Sequence, residues 1–421
     1  MNWDDCLQYV ALTDIGMRRL NNQDSHVAAL ANDLETWKKR GHFFMVADGM
    51  GAHAAGELAS RLAVEGALHR YHKYLDLSAP ESLEKAIVET NAEVHRRGQA
   101  NTDFHNMGTT ASALVLLPQG ALIAHIGDSR VYRLRRDRLQ QLTRDHSLVW
   151  ELREQLAEFG DLAIPKNVIT RSLGPNPTVQ VDIEGPFPIE VGDTFLVCSD
   201  GLTGKVADKE LAAVLKTLEP EEAGRLLTDM ANLRGGPDNI TVIIAKVTGG
   251  DYAAGDAEPL KVGTPPPSTG LPLAIWVCFG VCFLAALVLW ITGNPVPSLV
   301  AAAGAVGAVL VALLAWHRRR SVGVSLGRDR RLGRAPYTEI ECPSSSASLR
   351  MLQDIASELR GNVGTGDLPL DWSEFDRLCH AAEQAGEAVS AMRGYAAAFR
   401  QLMQQIRDVQ DKRAGDAGIE F

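Results

Sequence analysis

The run Phe43-Phe44-Met45-Val46-Ala47 breaks off at Asp48-Gly49-Met50-Gly51. Five consecutive apolar residues read as a buried strand whose last side chain emerges at the sheet's edge, where the glycines let backbone carbonyls approach a ligand. An Asp-Gly pair also makes hairpin turns, so this stretch alone leaves both readings open. The pattern recurs. Thr194-Phe195-Leu196-Val197-Cys198-Ser199 leads into Asp200-Gly201, Leu122-Ile123-Ala124-His125-Ile126-Gly127 leads into Asp128, and Asp238 stands just before Asn239-Ile240-Thr241-Val242-Ile243-Ile244. One carboxylate at a strand end is ordinarily structural, but four flanked by glycine or asparagine favour a shared cation site. Carboxylates with a backbone carbonyl and waters suit Mg²⁺ or Mn²⁺, hard ions that take oxygen ligands. Two such ions side by side can activate a water and neutralise a phosphoryl group under attack.

The first 250 residues alternate short β-like runs with helical stretches. Amphipathic helices are expected near 54–75 and 80–99 and two more between 208 and 234. Strands are expected near 107–117, 121–127, 130–135, 181–189, 193–199 and 239–248, separated by turn signals such as Pro118-Gln119-Gly120. Strands outnumber helices, and each sheet must bury its apolar face, which points to helices covering a sheet sandwich. Asp145 to Pro177 is richer in charge, proline and glycine than its flanks and reads as a flap.

With 421 residues, two or three domains fit, and 46 % hydrophobic residues supply a sizeable core. The net charge of −10 excludes a nucleic-acid binder, which needs a basic surface, and favours cations as partners. Six cysteines lie scattered without metal-ligand spacing, so neither a disulfide framework nor a zinc site is indicated and a reducing compartment is expected. The start, Met1-Asn2-Trp3-Asp4-Asp5, has neither the basic nor the apolar region of a signal peptide.

Beyond residue 249 the composition shifts. Glycines and Pro265-Pro266-Pro267 mark a linker over 250–270. From Val262 to Trp316 no side chain is charged. Two transmembrane helices are expected there, at 271–292 and 298–316, each about 20 residues and so roughly 30 Å long as helix, parted by Gly293-Asn294-Pro295-Val296-Pro297. The segment 317–342 opens with His317-Arg318-Arg319-Arg320, and basic residues beside a span stay cytoplasmic. Two spans joined by a short uncharged turn then leave both the N-terminal region and the tail in the cytoplasm, on an inner (plasma) membrane protein with the lipid bilayer as a partner. The tail, 343–421, carries Phe375, Leu378, Ala382, Ala385, Val389 and Met392 at helical spacing. Tyr395, Phe399, Leu402 and Ile406 continue the stripe after a one-residue slip. Such a stripe packs within the tail or against a helical partner.

The stretches Arg19-Leu20-Asn21-Asn22-Gln23-Asp24, Asp48-Gly49-Met50-Gly51, Gly56-Glu57-Leu58-Ala59-Ser60, Met107-Gly108-Thr109-Thr110, Gly127-Asp128-Ser129-Arg130, Leu142-Thr143-Arg144-Asp145-His146-Ser147, Ser199-Asp200-Gly201-Leu202 and Gly236-Pro237-Asp238-Asn239-Ile240-Thr241 occur in one order over residues 7–248. Together they resemble the metal-dependent protein phosphatases of the PPM, or protein phosphatase 2C, family in its bacterial form. The resemblance implies a catalytic domain over 1–249, a four-layer α/β/β/α sandwich of two antiparallel sheets. The transmembrane hairpin and helical tail expected above would follow it. It also implies phosphoserine and phosphothreonine protein substrates and a cognate serine/threonine kinase pathway.

Carried over by position, the resemblance makes Asp48 the bridge between two Mn²⁺ or Mg²⁺ ions, with the Gly49 carbonyl on one of them. Asp200 and Asp238 complete the other shell, Asp24 supports the site through water, and Asp128 matches the ligand of a third, weaker ion. Arg19 matches the phosphate-binding arginine. Two departures stand out: Ala52 replaces a glycine, and Met50 stands where animal members carry a histidine, so the leaving group needs another proton donor. His53 and His146 are assigned structural roles. Two competing readings are a catalytically silent sensor or scaffold on the same fold and a phosphatase of small phosphorylated molecules.

Overall fold

The computed structural model describes residues 6–51, 54–152, 168–249, 260–263, 273–293, 296–299, 303, 323–326, 331–363 and 369–416. It divides into two compact units, one formed by 1–258 together with 331–421 and the other by 259–330.

The larger unit begins with strands β1 (Leu7–Asp14) and β2 (Asp24–Ala29), a short helix α1 (Leu34–Arg40) and strand β3 (His42–Met50). Two long helices follow, α2 (Ala55–Lys73) and α3 (Ala79–Ala100). Helix α3 opens on a capping box, in which Ser78 and Glu81 satisfy each other's end of the first turn. Then come β4 (Gly108–Thr109), β5 (Ala111–Leu117), β6 (Gly120–Ile126), β7 (Arg130–Arg135), β8 (Arg138–Gln141), a one-turn helix α4 (Leu148–Glu151), β9 (Asp182–Phe187) and β10 (Thr194–Cys198). A short helix α5 (Asp200–Thr203), helices α6 (Asp208–Thr217) and α7 (Pro220–Leu233) and strand β11 (Ile240–Val247) complete the expected catalytic region.

One sheet has the order β1-β11-β10-β7-β8 and the other β2-β3-β5-β6-β9, with every neighbouring pair antiparallel. Alternation along the strands explains the layering. In β3, Phe44 and Val46 turn inward to meet Leu114, Ile123, Phe195 and Ile243 in the core between the sheets. Phe43, pointing the other way, lies 5.6 Å from the ring of Tyr71 on α2. Both faces of β3, β5 and β6 are therefore buried, which is why these strands read as unbroken apolar runs. On the far side, α7 sets Leu226, Leu227 and Met230 against Leu196, Val242 and Ile244 of the first sheet. The expected four-layer sandwich is present.

In the smaller unit, β12 (Leu260–Gly263) pairs antiparallel with β13 (Gly323–Leu326), and α8 spans Leu273–Ile291. The transmembrane hairpin expected at 271–292 and 298–316 is not found. Side chains of α8 are described from Gly280 onward, and among the described residues no helix is long and apolar enough to cross a membrane. Apart from Ser298, Leu299 and Ala303, the second expected span lies outside the described residues.

The tail joins the larger unit. Leu332 bridges Gly185 at the edge of the second sheet, Tyr337 donates a 2.5 Å hydrogen bond to Glu184, and strand β14 (Thr338–Glu341) extends the first sheet beyond β8. One short segment thus covers an edge of each sheet, removing two open templates for unwanted pairing. Three helices follow: α9 (Ser345–Val363), α10 (Trp372–Glu383) and α11 (Ala388–Asp416). Asp371 caps α10 by accepting from the Ser373 amide. The apolar stripe is split between α10 and α11, with Gly386 in the break between them. Phe375, Tyr395, Phe399, Leu402 and Ile406 are buried together with Leu226, Leu227 and Met230, so the tail packs on itself and on α7. A further helical layer covers the sandwich.

Candidate metal centre

Antiparallel pairing brings the expected acidic residues to one end of the sandwich. Asp24 opens β2 and lies directly across from Asp48 near the end of β3, Asp128 follows β6, Asp200 follows β10, and Asp238 precedes β11. The sheets are tied together there by Ser199, whose hydroxyl donates to Asp24 Oδ2 at 2.8 Å and accepts from the Thr241 amide at 3.0 Å.

Glycine is required at two of these turns. A Cβ on Gly49 would lie 2.2 Å from the Gly56 carbonyl oxygen, and one on Gly201 would lie 1.9 Å from that of Asn239. Close backbone approach lets α2 and the Asp238 turn crowd the carboxylates. The Asp48 backbone is fixed by Thr110, which accepts from its amide through Oγ1 at 2.8 Å and donates to its carbonyl through its own amide at 2.9 Å.

Electrostatics show how unfavourable this cluster is by itself. Burial and the charges of Asp24, Asp200, Asp238 and Asp128 push the Asp48 carboxyl well above the ordinary carboxylate range. Burial, reinforced by Asp200 and Asp238, raises Asp24 to about 7 against hydrogen bonds from Thr241 and Ser199. Asp128 is raised to about 7 by burial, Asp200 and Asp145, and Asp200 is raised by burial and Asp238. Among the described residues, Asp24 Oδ1, Asp128 Oδ1 and Asp200 Oδ1 are buried with no hydrogen-bond partner. Buried acceptors without partners are costly, and a cation beside them would satisfy them. The donor set fits divalent hard ions. Among the described residues no three His, Cys, Asp or Glu side chains close into a ready chelate. Mg²⁺ dehydrates reluctantly and keeps several waters, so it does not demand an all-carboxylate cage.

Arg19 stands at the rim, 45 % exposed, with Nη2 2.7 Å from Asp238 Oδ2. Its loop is held by Asn239, which donates to the carbonyls of Ile15 and Asn21 and accepts from the Gln23 amide at 2.8 Å. His146 lies behind the cluster: Nδ1 accepts from the Gly127 amide at 3.0 Å, the backbone amide donates to the Gly127 carbonyl, and Nε2 meets Asp182 at 3.0 Å. That is the structural role expected for it, steadying the turn into Asp128. His53 and Ala52 lie outside the described residues, as do 153–167 of the expected flap. The flap's described ends are pinned by Leu148 to Val168 and Thr170 to His146.

Sequence reasoning passed over several supporting groups. Arg130 grips Asp145 with a bidentate pair at 3.0 and 2.7 Å and donates to Tyr132, whose hydroxyl donates to Asp208 at the start of α6. Thr110, Ser199 and Asn239 sit inside the quoted stretches, but nothing in those stretches announces bonds to residues dozens to hundreds of positions away.

Residues 17–232, just over half of the chain, match the family described as Protein phosphatase 2C. The chain is 36 % identical over 242 residues to the serine/threonine phosphatase stp of Listeria innocua, covering 56 % of this chain and 93 % of that protein. To the serine/threonine protein phosphatase PstP of Mycobacterium tuberculosis it is 32 % identical over 268 residues, 61 % of this chain and 48 % of that protein. The crystal structure of the Mycobacterium tuberculosis phosphatase PstP/Ppp aligns with a TM-score of 0.51 at 31 % identity, covering 58 % of this chain and all of that one. The Streptococcus agalactiae serine/threonine phosphatase aligns with a TM-score of 0.50 at 34 % identity, over 57 % of this chain and 99 % of that one. The chain belongs to the protein phosphatase 2C family and is a metal-dependent serine/threonine protein phosphatase.

Proposed function

We propose that this chain removes phosphate from phosphoserine and phosphothreonine of cytoplasmic proteins, with the buried carboxylates holding Mn²⁺ or Mg²⁺ and Arg19 holding the phosphate. The observation that carries the reading is the set of mutually repelling, buried and half-buried carboxylates, with unpartnered oxygens on Asp24, Asp128 and Asp200 among the described residues, beside an exposed guanidinium. Asp48, the Gly49 carbonyl, Asp200 and Asp238 would hold the two ions, with Asp48 shared between them. Asp24 would support them through water, and Asp128 would hold a third, weaker ion.

Bound there, the ions supply Lewis acidity towards a water and towards the phosphoryl oxygens. The guanidinium of Arg19 offers a fork of donors to two phosphate oxygens and favours the charge of the transition state. Asp238 holds that fork at the rim, and the Asn239 bonds limit how far its loop can drift. Water adds to phosphorus, the ester P–O bond breaks, and the departing serine or threonine oxygen takes a proton. Met50 has none to give, so another donor supplies it. Substrates of this kind imply a serine/threonine kinase that makes them.

The reading extends to anchoring of residues 271–316 in a membrane, with the larger unit in the cytoplasm. Its support is the charge-free stretch from Val262 to Trp316, the arginines that follow it, and the β12–β13 ladder that returns the chain to its point of departure. Residues 1–258 and 331–421 share one compact unit, which supports a reading with both in one compartment.

The enzymatic test uses the full chain. Phosphate release from a phosphothreonine peptide should require Mn²⁺ or Mg²⁺ and fall by roughly 100-fold or more in Asp48→Asn and Asp238→Asn. Equal, negligible rates in parent and variants would leave a silent scaffold on the same fold. Faster turnover of phosphorylated metabolites than of phosphopeptides would move the substrate class.

A further inference from the structure

Helix α11 reaches the loop that carries Arg19. Arg407 on its outer half lies 2.5 Å from Asp14 Oδ2, while Asp14 Oδ1 accepts from the Gly16 amide at 2.9 Å and from Asn232 of α7 at 3.1 Å. Asp14 is the last residue of β1, and the loop leaving it is tightly built. Gly16 adopts φ +82°, a Cβ there would lie 2.2 Å from the Asp238 carbonyl oxygen, and the Met17 amide donates to the Gly236 carbonyl. Two residues later comes Arg19. An unbroken series of contacts therefore runs from Arg407 through Asp14 and the Gly16 turn to the backbone of Asp238, the residue that also pairs with Arg19.

The same helix also docks on α7 through Arg393 with Glu222 and Arg400 with Asp229, and the charges of Arg407 and Asp14 bear on Asp229 as well. Only Arg407 among these three touches the strand end from which the loop departs. The Listeria innocua relative is matched over 93 % of its length within 242 residues. The family match covers residues 17–232, so this helix lies outside it.

From these contacts we infer that Arg407 is a positioning residue for phosphate binding: through Asp14 it fixes the 14–23 loop, and so the reach of Arg19 towards the phosphate. The inference rests on the phosphatase reading for the role of Arg19, but the order of the loop can be measured without it. Because the side chain of Asp14 is largely buried and already bonded to Gly16 and Asn232, losing Arg407 leaves its second oxygen unpaired beside a turn that tolerates little movement. The loop then samples positions in which Arg19 no longer faces the cluster.

The test uses the full chain carrying Arg407→Gln, Asp14→Asn, both together, and Arg393→Gln as the docking control. Amide hydrogen exchange over residues 15–23 is read by mass spectrometry, alongside kcat, KM for a phosphothreonine peptide and the inhibition constant of inorganic phosphate. The first two variants should each speed loop exchange and weaken phosphate inhibition by about tenfold, the scale of one lost charged hydrogen bond. Their pairing should add little, and kcat should change less than KM. Arg393→Gln should leave the loop and the phosphate constant as in the parent. Loop exchange unchanged in Arg407→Gln, an equal change in Arg393→Gln, or an unmoved phosphate constant would each overturn the inference. A parent without turnover would sink the phosphatase reading instead, while loop exchange would still decide what Arg407 does to the loop.

Discussion

His125 is fully buried in β6, where Ser112 meets Nδ1 at 2.9 Å and the Arg144 carbonyl meets Nε2 at 2.9 Å. Burial, with the neighbouring His146 adding to it, lowers its pKa from 6.5 to about 3. The fold therefore prefers the neutral ring. That preference stabilises the protein fully above 6.5 and is lost as pH falls from there towards 3, because the unfolded chain takes up the proton first. Denaturation midpoints measured at neutral pH and near pH 5 should show a smaller acid-side loss in His125→Gln than in the parent; equal losses would show that this ring does not govern acid sensitivity. At this scale much of the centre was legible. Apolar runs that lead to Asp48, Asp128 and Asp200 announce strands, although β3 runs on past Asp48 to Met50, where Gly49 and Met50 pair with β4, and glycine at 49 and 201 marks where backbones meet. Asn239, Thr110, Ser199 and Arg130 were not legible in their roles, since their partners are chosen by how distant segments fold together.

Helix α11 illustrates the corresponding limit for whole elements. The spacing of Tyr395, Phe399, Leu402 and Ile406 identifies which face is buried, but a period of three to four says nothing about what covers it. Here the cover is α7, and the partner is the chain itself. Likewise β14 is too short and too polar to attract notice alone, yet it finishes the edge of the first sheet. The helices near 80–99 and 208–234 were read closely because each has a capped or proline-marked start and a clear apolar face, while the one near 54–75 has no side-chain cap and rests on its buried Ala55, Ala59, Ala63, Val64 and Ala67. Replacing fully buried Phe399 by alanine should cost about 3–5 kcal/mol, the usual range for a core phenylalanine. Since the tail and the sandwich form one unit, this loss should appear in the transition of the β-sheets followed by circular dichroism. A sheet transition that stays where it was while helical signal melts early would mean that the tail folds apart.

Across the whole molecule, a sequence that looks like a catalytic region, a hydrophobic segment and a separate tail becomes one compact unit interrupted by residues 259–330. The interruption was legible as a loss of charge; the reunion was not, because it depends on a covered helix face and a sheet edge. Reporters fused after residue 421 and within 293–297 test the membrane proposal, with cytoplasmic signal expected from the first and exterior signal from the second. The reverse, or equal signals in fractions free of membrane, would contradict it. The central claim is that buried carboxylates from both sheets share divalent ions, and calorimetric titration of Mn²⁺ into the full chain near neutral pH tests it most directly. Two tightly bound ions per chain, both weakened or lost in Asp48→Asn, are expected. No binding, or binding that ignores the substitution, would contradict it.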